Sequence, residues 1–477
     1  MVGVAPPDGG SARAADDELR GSCSSMPDPT THNEHSTDHR SSGLPVVDST
    51  PRREASVSAR YLHGLSRPPR RERRALRRQK RRERSTVVGR HPKTTALLVV
   101  LVLLTPVWAS LATAATNPAL GPTVGGRLTE WVRDHGGGGI VTWAEDTWYS
   151  WHAPPKGGKP AAGAIPEPVA STTTLPVATG PAHLPAPAAI VPFVSDPTPG
   201  EGQWHPIGRT VDGVPTMYAA FLRPNDVNTS LVTGVAWMDT KLLSARLYAG
   251  SSIPGTGQTF PDTAPVTGAA LTVLDAAFNS GFRMQDADGG YYLDGVTAYP
   301  LRTGAASLAI DSTGDVTVGA WGTDVAMTPT TVSVRQNLDL IVDDGAPVPG
   351  LGESDNSRWG ATLGGRIQVW RSGLGETADG ALVYVGGSGL SIVDLANVLV
   401  RAGAVRAMEL DINTDWVNFT HFDLQPGVPA SGTDGTLLTS DERTYPDRYF
   451  YALSRDFVTM SVRPNVTPGA TSHYKVG

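Results

Sequence analysis

The sequence predicts an α+β protein: a single mixed-sheet extracellular domain after one transmembrane helix and a disordered cytoplasmic arm. From about Gly200 onward, short apolar runs are separated by Gly, Asp and Pro, the punctuation of strands and turns. One stretch in that region, Ser391 to Ala402, carries helical spacing instead. Well before it, a basic segment leads into 20 residues without a charge.

Charge divides the 477-residue chain in two. Residues 1–93 hold 19 Lys+Arg and 11 Asp+Glu, a net of +8, while the remainder holds 21 and 35, a net of −14. Such asymmetry places the two ends in different surroundings. The only cysteine, Cys23, lies in the amino-terminal arm, so no intrachain disulfide is available and the core must hold the fold.

Residues 1–93 are rich in Ser, Pro, Asp, His and Arg with few aromatics, a composition that cannot offset the entropy of ordering. The stretch Arg67 to Arg84 is strongly basic. A nucleic-acid tail is one reading, but the position favours the flank of a membrane segment, with no nucleic acid as partner. That segment is Ala96 to Ala115, within a span of 94–115, and as a helix it covers about 30 Å, one hydrocarbon core. A signal peptide competes, because Ala112-Thr113-Ala114 has the small-x-small form of a cleavage site. The long arm before it favours an uncleaved signal-anchor.

Residues 116–152 contain Trp131, Trp143, Trp148, Tyr149 and Trp151 around a Gly136–Gly139 run. Two short helices anchored in the membrane interface fit this pattern, and so do two helices packed on the domain. Residues 153–199 are Pro/Ala/Thr-rich and read as a semi-rigid extended spacer.

In the domain at 200–477, strands are expected at Val214–Leu222, Leu231–Met238, Leu271–Phe278, Ala306–Ile310, Val316–Ala320, Val332–Val342, Ile367–Trp370, Ala381–Val385, Val405–Leu410 and Phe457–Val462. Ser391 and Asp394 form a short capping box for the helix, and Gly403 ends it. The strand after it runs into two acids. Period-two alternation places Glu409 and Asp411 on one face, a paired carboxylate where a buried strand meets a loop. A turn cap and an ion pair with an arginine account for the same spacing.

Three further pieces join this stretch: Ala276–Phe282 (AAFNSGF), Val334–Gly345 (VRQNLDLIVDDG) and Trp370–Gly387 (WRSGLGETADGALVYVGG). Taken in order, they resemble the phosphodiester glycosidase family over about Leu271 to Phe422. That family carries an Asn-Gly-Gly-Phe-like segment, an Arg-Thr-Ala-x-Gly hairpin, and a helix followed by Leu-Asp-Gly-Gly-Gly-Ser. Asn279, Gly281 and Phe282 match the first, with Ser280 at a glycine position. Arg371 and Gly375 match the second, with Ser372 for threonine. Leu410 and Asp411 match the third, followed by Ile412, Asn413 and Thr414 in place of glycines, and Glu409 stands where an amide is usual.

The resemblance implies hydrolysis of a glycosyl phosphodiester, with Asp411, Glu409 and Arg371 as catalytic residues. Asn279, Gly281, Phe282, Arg371, Gly375 and Asn413 would contact substrate. An arginine fork suits phosphate, two carboxylates can share acid, base or nucleophile roles, and Asn279 can orient a hydroxyl or acetamide. These groups are expected to converge in one cleft. No cofactor is implied; the Asp411-Asn413-Asp415 series leaves an irregular calcium site open, although Trp416 and Phe422 exclude an EF-hand. Two functions follow: a membrane-anchored hydrolase of glycosyl phosphodiesters, in cell-wall polymers for example, or a non-catalytic relative that binds wall glycopolymer or a protein partner. Ile412 obstructs a glycine-type loop and favours the second; Asn279, Arg371 and Asp411 favour the first.

The single-pass orientation has a direct test. Protease added to intact cells should remove the 200–477 domain and spare the arm before Lys93; protection of the large domain would reverse the topology.

Overall fold

A computed structural model describes residues 69–83, 92–167, 182–353, 357–359 and 368–464. Part of the arm expected to be disordered is helical: α1 spans Arg70–Glu83 and is exposed along its described length. Arg, Leu, Lys and Gln favour a helix, and Glu72 lies in the first turn where the helix dipole favours an acid. The rest of the arm, including Cys23, lies outside the described residues.

Helix α2, Pro92–Thr116, contains the uncharged span and is long and apolar enough to cross a membrane. Its side chains are apolar all round, and Leu103 is 70% exposed. Helix α3, Val124–Val132, begins at Thr123, whose hydroxyl accepts from Gly126 N at 2.9 Å. Helix α4, Gly138–Trp151, follows a kink at His135–Gly136. The two readings of the aromatic segment divide by residue. Trp131 donates to Ser110 Oγ at 2.9 Å, and the Tyr149 and Thr414 hydroxyls share a hydrogen bond of 2.9 Å. Trp143, Trp148 and Trp151 are exposed, as interfacial side chains would be.

The described parts of the Pro/Ala-rich stretch lie against the domain rather than reaching away from it. Leu184 and Ile190 are buried, Leu184 N donates to Asp239 Oδ2 at 2.8 Å, and Ile190 N donates to Gly202 O at 2.8 Å. Asn228 holds the earlier part through the carbonyls of Pro154 and Pro155.

Three sheets surround one core. The largest runs in the order His205–Val211, Val214–Leu222, Thr233–Met238, Leu382–Leu390, Val369–Thr377, Ala404–Glu409, Leu340–Asp343 and Ala346–Pro347. The second orders Val296–Tyr299, Tyr291–Leu293, Thr331–Gln336, Ala306–Asp311 and Val316–Ala320. The third orders Gly435–Leu437, Phe419–Phe422, Leu274–Asn279, Phe457–Val462 and Leu243–Tyr248. In the largest sheet, Leu382 and Tyr384 face the shared core with Phe278 and Met408. Val383 and Val385 face helix α5, Ile392–Arg401, with Leu184 and Ile190. Burial on both faces makes this strand a continuous apolar run. The capping box of α5 is present: Ser391 and Asp394 exchange side-chain to backbone bonds.

The expected single strand Val332–Val342 is instead two strands in different sheets. The chain breaks at Asn337 and at Leu338, which has φ +55°. Asn337 spends its amide on Phe282 N and Glu409 O, which draws it out of the ladder. Phe419–Phe422 and Leu243–Tyr248 are strands whose runs are too short or too polar to stand out in sequence.

A truncated protein starting at Gly200 should be about 3–5 kcal/mol less stable in urea than one starting at His183, since it exposes the apolar surface that Leu184 and Ile190 cover. Equal stability would place these residues outside the domain.

Candidate functional site

The site forms where the third sheet meets the largest one. Pairing of Phe457 with Asn279 aligns the Arg455-Asp456 dipeptide beside the Asn-Ser-Gly turn. Asn279 there uses its whole amide: Nδ2 donates to Ser280 O and Ser372 Oγ, both at 3.0 Å, and Oδ1 accepts from Tyr384 OH at 2.9 Å and Asn418 N at 3.0 Å. Ser372 Oγ in turn donates to the carbonyl of Asp411 at 2.8 Å, and Asp411 N donates to Ser280 O at 3.1 Å. Asn279 therefore fixes the backbone that presents Asp411, rather than offering a free amide to a sugar.

Arg371 and Glu409 form a buried ion pair. Arg371 Nη1 donates to Glu409 Oε1 at 2.5 Å and Nε donates to Leu390 O at 3.0 Å. The guanidinium is 1% exposed and the carboxylate fully buried. Burial raises the Glu409 carboxyl to about 7 against the opposing pull of Arg371. Of the two sequence readings for Arg371, the geometry shows the ion pair with one of the two acids.

The strand ends at Glu409, so period-two alternation does not extend to Asp411. Asp411 instead lines a cavity of about 10 Å³, room for about one water, together with Asn279, Ser280, Gly281, Trp416 and Arg455. Arg371, Glu409 and Gly375 do not line it. Asp411 Oδ1 accepts from Asn413 N at 3.0 Å, and Oδ2 is 3.7 Å from Arg455 Nη1. Burial raises the Asp411 carboxyl, opposed first by Arg455. Around the cavity, Ser280 Oγ, Arg448 Nε, Tyr449 OH, Arg455 Nη1 and Asp456 Oδ1 are buried without a hydrogen-bond partner in the protein. Each such group carries a desolvation cost of about 1–3 kcal/mol unless a water or another polar occupant of the cavity satisfies it.

The remaining expected residues are placed as follows. Gly281 lines the cavity, and a Cβ there would stand 2.9 Å from the Asn337 side chain. Phe282 packs in the core beside α5 and anchors the turn through its N–H to Asn337. Gly375 lets strands approach, since a Cβ would meet Ala404 Cβ at 2.6 Å. Asn413 Oδ1 accepts from Asp415 N at 2.8 Å, so Asp411 and Asn413 make consecutive side-chain turns. Among the described residues no group of three or more His, Cys, Asp or Glu side chains is arranged to hold a metal.

Sequence reasoning missed Arg455, Asp456, Arg448 and Trp416, and missed that Arg335 pairs with Asp456 at 2.8 Å. Both arginines flank Trp416, with guanidinium carbons 5.0 Å (Arg448) and 4.8 Å (Arg455) from its ring. The available signal was an Arg-Asp dipeptide directly before the strand Phe457–Val462. Glu130 of α3 was missed as well: it is 6% exposed and lies 3.3 Å from Arg455 Nη2.

Replacing Arg371 by Met should destabilise the protein by about 3–5 kcal/mol, because it leaves the Glu409 charge buried alone. Arg371→Met/Glu409→Leu should recover most of that loss in urea unfolding. Equal losses in the single and double variants would mean the pair is not a mutual one.

Residues 270–411 match the sequence profile of the phosphodiester glycosidase family. No curated protein matches the chain. Among solved structures, the catalytic domain of zebrafish N-acetylglucosamine-1-phosphodiester alpha-N-acetylglucosaminidase, auto-inhibited by its pro-peptide, aligns at 13% identity with a TM-score of 0.35, covering 55% of this chain and 88% of that one. A hypothetical protein from Synechocystis aligns at 13% identity with a TM-score of 0.28, covering 54% of this chain and 64% of that one. The matched segment begins just before the strand leading to Asn279 and ends on Asp411, so it contains every residue that the sequence resemblance assigned to the site except Asn413. Over residues 270–411, this chain is similar to the phosphodiester glycosidase family.

Proposed function

We propose that the protein is a membrane-anchored, extracytoplasmic glycosidase that hydrolyses a glycosyl phosphodiester, in cell-wall polymers for example. The observation that carries this reading is the set of five unpartnered buried polar groups around Asp411, inside and beside the family-matched segment. Asp411 is the group placed to act on the anomeric carbon. In the reaction the C1–O bond breaks and its electrons leave with the phosphate oxygen. Water supplies the hydroxyl that ends on C1, and its other proton ends on the phosphomonoester. Phosphate is a good leaving group, so the demand falls on stabilising charge rather than on a strong acid. Arg455, at 3.7 Å from Asp411, is the cation nearest that charge. Arg371 and Glu409 support the strand behind the site. The apolar helix α2 tethers the domain, and the basic flank before it orients the amino terminus to the cytoplasm.

Binding without turnover is the second reading. It draws on the small volume of the Asp411 cavity and on Ile412, Asn413 and Thr414 at the family's glycine positions.

If the protein is an enzyme, Asp411→Asn should lower kcat/KM on a glycosyl phosphodiester by about a hundredfold or more with the unfolding transition unchanged. The acid limb of the pH profile should lie above the ordinary aspartate range, because burial raises the Asp411 carboxyl and only its ionised form serves. Arg455→Gln should move that limb higher still by removing the opposing cation. Full activity in Asp411→Asn would overturn the assignment.

A further inference from the structure

A second, larger cavity opens beside the first. It has a volume of about 190 Å³ and is bounded by the domain on one side and by the segment after α2 on the other. Arg455 lines both cavities. Arg283 lines the outer one, with Leu120, Met284 and Tyr299 supplying apolar wall. Two carboxylates of the juxtamembrane segment reach these arginines: Glu130 lies 3.3 Å from Arg455 and 3.5 Å from Arg283, and Asp134 is hydrogen-bonded to Arg283. The other charged groups near them are Asp411, Arg133 and Asp286. Despite these acids, Nη1 of Arg283 and Nη1 of Arg455 make no hydrogen bond. Burial lowers the Arg283 guanidinium, opposed first by Glu130.

We propose that Arg455 and Arg283 form an anion subsite for the phosphodiester group, in which the Glu130 carboxylate occupies the place of the phosphate monoanion. The inference rests on the phosphodiester reading above and names the residues that recognise the phosphate. A guanidinium with an idle N–H can pair bidentately with phosphate, whereas Glu130 engages only Nη2 of Arg455, and at 3.3 Å. A phosphodiester carries one negative charge, so it exchanges for Glu130 without changing the charge of the site. Glu130 sits on α3, which reaches both α2 and the domain. Arg371, sealed against Glu409, cannot serve in this role. Leu120 lies four residues beyond α2, which puts the subsite within reach of a lipid headgroup as well as of a soluble phosphodiester.

The test measures dimethyl phosphate binding by calorimetry on the full chain in dodecyl maltoside, so no turnover is needed. Glu130→Gln should bind at least tenfold more tightly than the unsubstituted protein. Adding Arg455→Met should abolish the gain, and Arg283→Met, a half-buried position that tolerates replacement more readily, should weaken binding about tenfold with the circular dichroism unchanged. Equal affinity in the unsubstituted protein and Glu130→Gln, or undiminished binding in a folded Arg283→Met, would overturn the subsite. Weaker dimethyl phosphate binding in phosphatidylglycerol nanodiscs than in detergent would make the lipid headgroup the source; unchanged binding would make it a soluble diester, and both support the subsite. Tightened binding without hydrolysis of any glycosyl phosphodiester would sink the enzyme reading alone. Hydrolysis with no response to Glu130→Gln would sink the subsite alone.

Discussion

Asn279 makes four side-chain hydrogen bonds, the full capacity of an amide, and together they tie the third sheet to one hairpin of the largest. Tyr384 lies in the largest sheet, Asn418 in the approach to the third, Ser372 on the hairpin that carries Arg371, and Ser280 in the adjacent turn. Through Ser372 the network reaches the carbonyl of Asp411, and through Asn418 it reaches Glu442 Oε2 at 2.8 Å. Burial pushes the Glu442 carboxyl up to about 8, so its hydrogen bonds are made with a group that resists ionisation. Such a network is stabilising only when complete, because each broken link strands a buried polar partner. The position of Asp411 thus depends on a residue that need not touch substrate.

A second constraint comes from outside the sheets. Thr123 and Gly126 at the start of α3 meet Asp415, Glu130 at its end meets Arg455, and Tyr149 of α4 meets Thr414. Ala119 O accepts from Ser454 N at 3.0 Å. These contacts all fall on the loop that follows Asp411 or on the turn that carries Arg455. Trp131 bonds Ser110 in α2, so the apolar helix and the candidate site are linked through one short helix. Exposed Trp143, Trp148 and Trp151 remain available for the membrane interface.

The helix α5, its capping box and the strands flanked by glycine were legible because local chemistry decides them. The Asn-Ser-Gly-Phe, Arg-Ser and Leu-Asp segments were legible as motifs, and the family match at 270–411 contains them. What each side chain does was not legible. Whether Arg371 faces a ligand or Glu409 depends on the pairing of Gly373 with Glu409 across two strands, a long-range register that spacing within one strand does not encode. Arg455 and Glu130 come from opposite ends of the unit and meet only after folding. Leu184 and Ile190 sit in a composition that reads as a spacer, since two apolar residues among prolines carry no period.

The loop after Asp411 shows how a lost motif need not be a lost structure. A glycine-rich loop uses left-handed backbone and close approach of N–H groups to a ligand. Here Ile412, Asn413 and Thr414 all avoid positive φ, so β-branching at Ile412 carries no such strain, and its side chain packs beside the α5 core. The turn is held by Asp411 accepting from Asn413 N and by Asn413 accepting from Asp415 N, side-chain bonds replacing glycine's freedom. Its tip is bound by Tyr149 and Thr123 of the juxtamembrane segment. Backbone N–H groups spent on Asp411 and Asn413 are unavailable to an anion. Among the described residues, the guanidinium N–H groups left without a hydrogen-bond partner around the Asp411 cavity are Arg455 Nη1 and Arg448 Nε.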